Sequence, residues 1–168
     1  MNPESLSKQD ASIQDLCGLL AGLLQKKHWL MVTAESCTGG QIAGACTDLA
    51  GSSGWFECGF VTYSNEAKTA MLGVDAALIA RHGAVSEPVA RAMAQGALAR
   101  SRAQVSVAVT GIAGPTGGSV AKPVGTVWFG WCVLGQVTSE TRRFDGDRAA
   151  VRTATVRHAL QRLLTLAA

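Results

Sequence analysis

The sequence predicts an α/β fold: a mixed, mostly parallel five-stranded sheet with helices on both faces, in which the fourth strand runs antiparallel. Three observations carry this. Short apolar runs of strand length alternate with stretches of helical periodicity through residues 13–110, the pattern of parallel strands joined by helical crossovers. The third and fourth runs are joined by a Gly/Pro-rich loop without helical periodicity, and the fourth and fifth turn tightly at Gly135, which reverses the chain twice. A final helical stripe of Val151, Ala154, Val156, Ala159, Leu160, Leu163 and Leu164 closes the chain.

In order along the chain, residues 1–9 are polar and are expected to be a loosely held tail, with one domain over residues 10–168, since a single core commonly reaches this size. Ile13, Leu16, Cys17, Leu20, Leu23 and Leu24 recur at three and four, an amphipathic helix that ends in the cationic Lys26-Lys27-His28 cluster. Residues 30–34 read as the first strand, and 38–49 as a nearly all-buried helix. A Gly/Ser loop follows at 51–54, and residues 60–63, rich in β-branched and aromatic side chains, read as the second strand. Helices are expected over 66–71, 75–81 and 86–100, the last with Ser86 as N-cap and Pro88 in its first turn. Residues 104–110, 124–134 and 137–144 complete the strands, and 147–166 form the last helix.

Composition narrows the function. Charged residues make up 16%, against roughly 25% in an average soluble domain, and 48% are hydrophobic, so much alanine-rich surface must be buried; a homodimer is expected. The net charge of +3 comes from scattered Lys and Arg with no basic run, which argues against a nucleic-acid partner. Five cysteines without a CxxC pair argue against a disulfide framework or a cysteine zinc site and fit a reducing, cytoplasmic setting. No signal-peptide pattern and no apolar stretch of about 18 residues is present, so no membrane association is expected.

If the first three strands are parallel, their C-terminal ends share one sheet edge, where open α/β sheets bind ligands. Four chemically rich segments then meet there: residues 35–40, 64–68, 111–118 and 145–148. Taken singly each has a bland explanation: Ser36 as a turn or N-cap serine, Lys68 as an exposed helix lysine, Tyr63 as packing. Together they suggest nucleophilic catalysis. A serine hydroxyl needs a base to attack near neutral pH, and His28, His82 and His158 fall away from all four segments. Lys68 lies in one of them; a lysine desolvated among apolar neighbours becomes neutral enough to act as that base, with Tyr63, the only tyrosine, assisting. Cys37 is a rival nucleophile, with buried filler as its simpler role.

Backbone N–H groups at Thr38, Gly39 and Gly40 are candidate oxyanion donors. Asn65, Gly111 and Gly114 join them as candidate substrate contacts; the glycine loop lacks both the Walker ending and the G-x-G-x-x-G spacing, so it is no nucleotide motif of those kinds. Arg148, beside the start of the last helix, suits a phosphate. No metal or redox cofactor is required.

Taken together, Ala34-Glu35-Ser36-Cys37-Thr38-Gly39-Gly40, Tyr63-Ser64-Asn65-Glu66-Ala67-Lys68, Gly83-Ala84-Val85-Ser86-Glu87, Gly111-Ile112-Ala113-Gly114-Pro115, Lys122-Pro123-Val124-Gly125-Thr126-Val127-Trp128 and Gly146-Asp147-Arg148 resemble the C-terminal domain family of CinA, including its stand-alone PncC-type members. The resemblance implies a three-layer α/β/α sandwich and hydrolysis of the carboxamide of nicotinamide mononucleotide to nicotinate mononucleotide and ammonia. It places the family's serine nucleophile on Ser36 and its lysine and tyrosine on Lys68 and Tyr63. Thr116 stands where the family commonly has an aspartate, and the separate N-terminal domain of full CinA proteins, with its pyrophosphatase-type activity, is not expected. A nucleotide-binding regulatory module without chemistry, and an amidase for another small carboxamide, are the competing expectations.

Overall fold

Strand β1 (Met31–Glu35) sits between β2 (Phe56–Val61) and β3 (Val105–Gly111), parallel to both, in a five-stranded sheet of order β2-β1-β3-β4-β5. β4 (Thr126–Val133) is antiparallel to β3, and β5 (Gln136–Arg143) antiparallel to β4, so β5 regains the direction of β1 as the connections require. The computed structural model describes residues 11–168; the tail expected over residues 1–9 lies outside the described residues. α1 (Ile13–Lys27), α2 (Gln41–Thr47) and α6 (Arg148–Ala167) cover one face, and α3 (Asn65–Leu72), α4 (Ala76–His82) and α5 (Glu87–Ala99) the other, giving the three layers. Among the described residues no helix is long and apolar enough to cross a membrane.

The period-two alternation of the strands separates two cores of different texture. Met31, Val105, Val107, Val109, Val127, Phe129 and Trp131 pack with α1 and α6, where the Trp131 indole N–H donates to the Ala159 carbonyl at 3.1 Å. The opposite face carries small groups. A Cβ on Gly130 would stand 2.4 Å from the Ala90 carbonyl oxygen, and the Ser106 hydroxyl donates to the Ala94 carbonyl at 2.7 Å, so the alanine-rich α5 lies almost on the strands. Gly96 of α5 in turn admits the end of α3: its Cβ would meet the Leu72 carbonyl oxygen at 2.1 Å. That contact sets where α3, and therefore Lys68, lies.

Three expectations are corrected. β2 begins at Phe56, where the ladder with β1 starts, and ends at Val61, earlier than the expected 60–63; it is an edge strand, half exposed, and Glu57 and Gly59 mask its pattern. α2 is short and buries only Ile42 and Cys46, because the preceding residues form a turn in which Gly39 (φ 59°) and Gly40 (φ 99°) are left-handed, a conformation that suits glycine. Ser86 occupies the N-cap position of α5, yet its hydroxyl donates back to the Gly83 carbonyl at 2.7 Å and caps no amide.

Candidate active site

The turn between β1 and α2 is organised by a carboxylate that the sequence alone did not single out. Glu35 is fully buried, and it accepts from the Thr38 hydroxyl (2.6 Å) and from the amides of Gly40 (3.1 Å), Ile42 (3.0 Å) and Ala43 (2.8 Å). It thus caps α2 from behind, an anion against the positive helix end, in place of the side-chain cap that Gly40 cannot supply. The Gly39 amide donates to the Ser36 carbonyl at 3.0 Å. Gly39 and Gly40, expected as oxyanion donors, therefore spend their N–H groups inside the turn. The amides without a partner among the described residues are those of Cys37 and Thr38; Cys37 lines the cavity beside Ser36, whereas Thr38 is fully buried and, like Gly39 and Gly40, is not on its wall.

Ser36 follows β1 directly, with its amide on the Val109 carbonyl of β3 (3.1 Å) and its side chain mostly buried. Lys68 reaches it from α3. Ser64 caps that helix by accepting the Ala67 amide at 3.0 Å, which fixes the helix start one turn before Lys68 and points the lysine inward. Lys68 is 1% exposed, and its Nζ stands 3.1 Å from Ser36 Oγ. The remaining contacts of Nζ are carbonyls: Thr62 at 2.9 Å, Tyr63 at 3.3 Å and Ser64 at 3.5 Å. Burial holds the lysine pKa below its ordinary 10.5, with the charges of Cys37 and Glu66 opposing more weakly. Nothing histidine-based competes: none of the three histidines lines this cavity, and His158 lies against Phe129 with Nε2 3.4 Å from Glu140.

Ser36 and Lys68 open onto a cavity of about 210 Å³, walled also by Cys37, Asn65, Gly111, Ala113 and, not singled out as site residues from sequence, Ala84, Val85 and Thr110. The Thr110 hydroxyl donates to the Ala84 carbonyl at 2.9 Å and ties the loop before α5 to β3. At the mouth, Arg148 donates to the Gly114 carbonyl (3.0 Å) and to the Tyr63 hydroxyl (3.1 Å). The Tyr63 side chain is 61% exposed there, so it is the tyrosine carbonyl, not its phenol, that touches Lys68. Gly114 lies behind Arg148 rather than on the wall, and Thr116 is exposed, outside the cavity. A larger cavity of about 480 Å³ between α3 and α4 shares Asn65 and is lined by Glu66 and Thr69, but it has no lysine or histidine to activate the hydroxyl, so the smaller one is the chemical site.

Cys37 borders the same cavity but packs into the core, 5% exposed, its thiol pushed up to about 12 by burial, with the Glu35 charge adding to the rise. Arg152 is the cation that sequence reasoning passed over. It follows Arg148 by four residues on α6, the spacing that puts both on one helix face, and donates to the carbonyls of Cys37 (3.2 Å) and Thr38 (3.0 Å).

A family model described as the CinA C-terminal domain matches residues 13–167. The chain is 54% identical to a nicotinamide-nucleotide amidohydrolase PncC of Pseudomonas putida over 92% of this chain and 96% of that protein. It is 51% identical to the protein of the same name from Escherichia coli K12, over 92% and 94% respectively. Among solved structures, a competence/damage inducible protein CihA from Agrobacterium tumefaciens superposes with a TM-score of 0.90 at 48% identity, covering 93% of this chain and 96% of that one.

Proposed function

The chain belongs to the CinA C-terminal domain family, and from that premise we propose that it is a nicotinamide-nucleotide amidase whose nucleophile is Ser36 and whose base is Lys68. The observation that carries the residue assignment is the buried 3.1 Å pairing of Lys68 Nζ with Ser36 Oγ, where burial lowers the lysine pKa from its ordinary value. The substrate is drawn from the names of the Pseudomonas putida and Escherichia coli relatives.

The chemistry follows acyl-transfer logic. Neutral Lys68 directs its N–H bonds at the Thr62 and Tyr63 carbonyls and its lone pair at the Ser36 hydroxyl. It takes that proton as Oγ bonds to the carboxamide carbon of nicotinamide mononucleotide. The carbonyl π pair moves onto oxygen, for which the unpaired N–H groups after Ser36, that of Cys37 on the cavity wall foremost, are the donors; an oxyanion donor of this kind contributes about 3–4 kcal/mol in other enzymes. Lys68 then returns the proton to the amide nitrogen, the C–N bond breaks, and ammonia departs. Water, deprotonated by the same amine, hydrolyses the Ser36 ester to nicotinate mononucleotide. Arg148, at the mouth with Tyr63, is the group suited to the substrate's phosphate, and Asn65 to its polar edge.

The deciding experiment measures ammonia released from nicotinamide mononucleotide by wild type and Ser36→Ala, with nucleotide binding followed by calorimetry. Turnover by wild type and its loss in a variant that still binds are expected. Undiminished turnover by Ser36→Ala sinks the serine mechanism, and binding without ammonia from wild type makes the protein a nucleotide-binding regulator instead.

A further inference from the structure

We propose that Arg152 and Glu35 are positioning residues that grip the Ser36 turn from opposite sides and so hold Ser36 and the unpaired amides that follow it in line with the acyl group. This rests on the amidase mechanism above and adds to it what orients the oxyanion donor.

An accounting of the turn's backbone groups leads there. The Ser36 amide is used by Val109, the Ser36 carbonyl by Gly39, and the amides of Gly40, Ile42 and Ala43 by Glu35, while the amides of Cys37 and Thr38 have no partner among the described residues. The Thr38 carbonyl accepts from the Gln41 amide at 3.2 Å as well as from Arg152. The Cys37 carbonyl has Arg152 as its partner, through Nε at 3.2 Å. A trans peptide is planar, with its C=O and N–H pointing oppositely, so the carbonyl of Cys37 and the amide of Thr38 turn as one unit. Anchoring that carbonyl on Arg152 therefore directs the Thr38 N–H to the other side of the turn and prevents the peptide from flipping. The guanidinium charge also polarises the peptide and makes its N–H a better donor.

Glu35 does the complementary work from inside. Its Oε2 collects the Thr38 hydroxyl and two amides while Oε1 collects the third, so the carboxylate ties both the Thr38 side chain and the start of α2 to the end of β1. The planar fork of arginine spans two successive carbonyls, which a lysine ammonium does not match. Arg152 is half-buried on a long helix, its hydrogen bonds among the described residues go to the carbonyls of the turn, and it belongs to neither apolar core.

The test is steady-state ammonia release from nicotinamide mononucleotide by wild type, Arg152→Ala, Arg152→Lys and Glu35→Gln, each with a thermal melt. Arg152→Ala is expected to lose kcat on the order of 10²-fold, the scale for a misplaced oxyanion donor, with KM changed by less than about threefold. Adding guanidinium ion is expected to restore about tenfold of that loss in Arg152→Ala and nothing in Ser36→Ala, a response that a purely structural role would not give. Arg152→Lys and Glu35→Gln are expected to fall between, and Arg152→Lys carries the test should the alanine variant fold poorly. Wild-type kcat in folded Arg152→Ala overturns the inference, and so does a loss seated mainly in KM, which would make Arg152 a substrate ligand. An inactive wild type would take down the amidase assignment itself, whereas an active wild type beside an unaffected variant removes only the positioning role.

Discussion

At the scale of single residues, the site turns on an uncommon pair: a serine and a lysine buried together without a carboxylate on the lysine. The cost of burying an ammonium is what makes Lys68 a base, because water no longer favours its charged form. Its pKa lies below 10.5, so the neutral form accumulates as pH rises through that lowered value. kcat is therefore expected to rise with pH along a single ionisation whose apparent pKa is below 10.5, and Lys68→Met to lose about 10²–10⁴-fold at any pH. A rate profile that titrates at the ordinary lysine value would contradict the assignment. Cys37 makes the converse point: with its thiol pushed up to about 12 it carries no thiolate near neutrality. Cys37→Ala is expected to keep ammonia release within about threefold of wild type, the change belonging to packing rather than chemistry. A dead Cys37→Ala enzyme that still folds would move the nucleophile from oxygen to sulfur.

At the scale of elements, catalysis depends on how closely helices approach the sheet and each other. α3 delivers Lys68 to Ser36 only because its C-terminal end rests on Gly96 of α5, with no room for a side chain between them. In Gly96→Ala the new Cβ would need the Leu72 carbonyl, at 2.1 Å, to retreat. The expected result is a destabilisation of about 1–3 kcal/mol in urea unfolding together with reduced kcat, as α3 shifts and the Nζ–Oγ pairing lengthens. Unchanged stability in that variant would mean that α3 is not set by this contact. The strands contribute differently: β1 and β3 bring Ser36 and Thr110 to one edge through their parallel register, in which Ala34 lies opposite Ala108 and Glu35 opposite Val109.

At the scale of the whole molecule, the site is a local conflict that the two cores hold in place. A buried base is useful to chemistry and costly to folding. Because the folded pKa of Lys68 is lowered, the unfolded chain binds more protons between the folded value and 10.5, so this group's penalty is full below the folded pKa and fades as pH rises towards 10.5. Lys68→Met is accordingly expected to be more stable than wild type to denaturant at pH 7, with the advantage shrinking as pH rises. Equal stability of the two proteins at pH 7 would show that the carbonyls of Thr62, Tyr63 and Ser64 fully compensate the buried charge.

The sequence by itself determined the layers, the strand directions and the meeting of Ser36 with Lys68, because hydrophobic period and connection length are local properties and parallel crossovers leave little choice of topology. The start of β2 escaped it, since a half-exposed edge strand with Glu57 and Gly59 shows no clean alternation. Tertiary structure alone decided which amides of the turn remain unused, that the Tyr63 phenol meets Arg148 rather than the lysine, and that Glu35 and Arg152 hold the turn. The physical reason is common to all of these. The partners of Glu35 and Arg152 are largely backbone N–H and C=O groups, which every residue carries alike, so residue identity says nothing about them until the chain has folded and each group has found its partner.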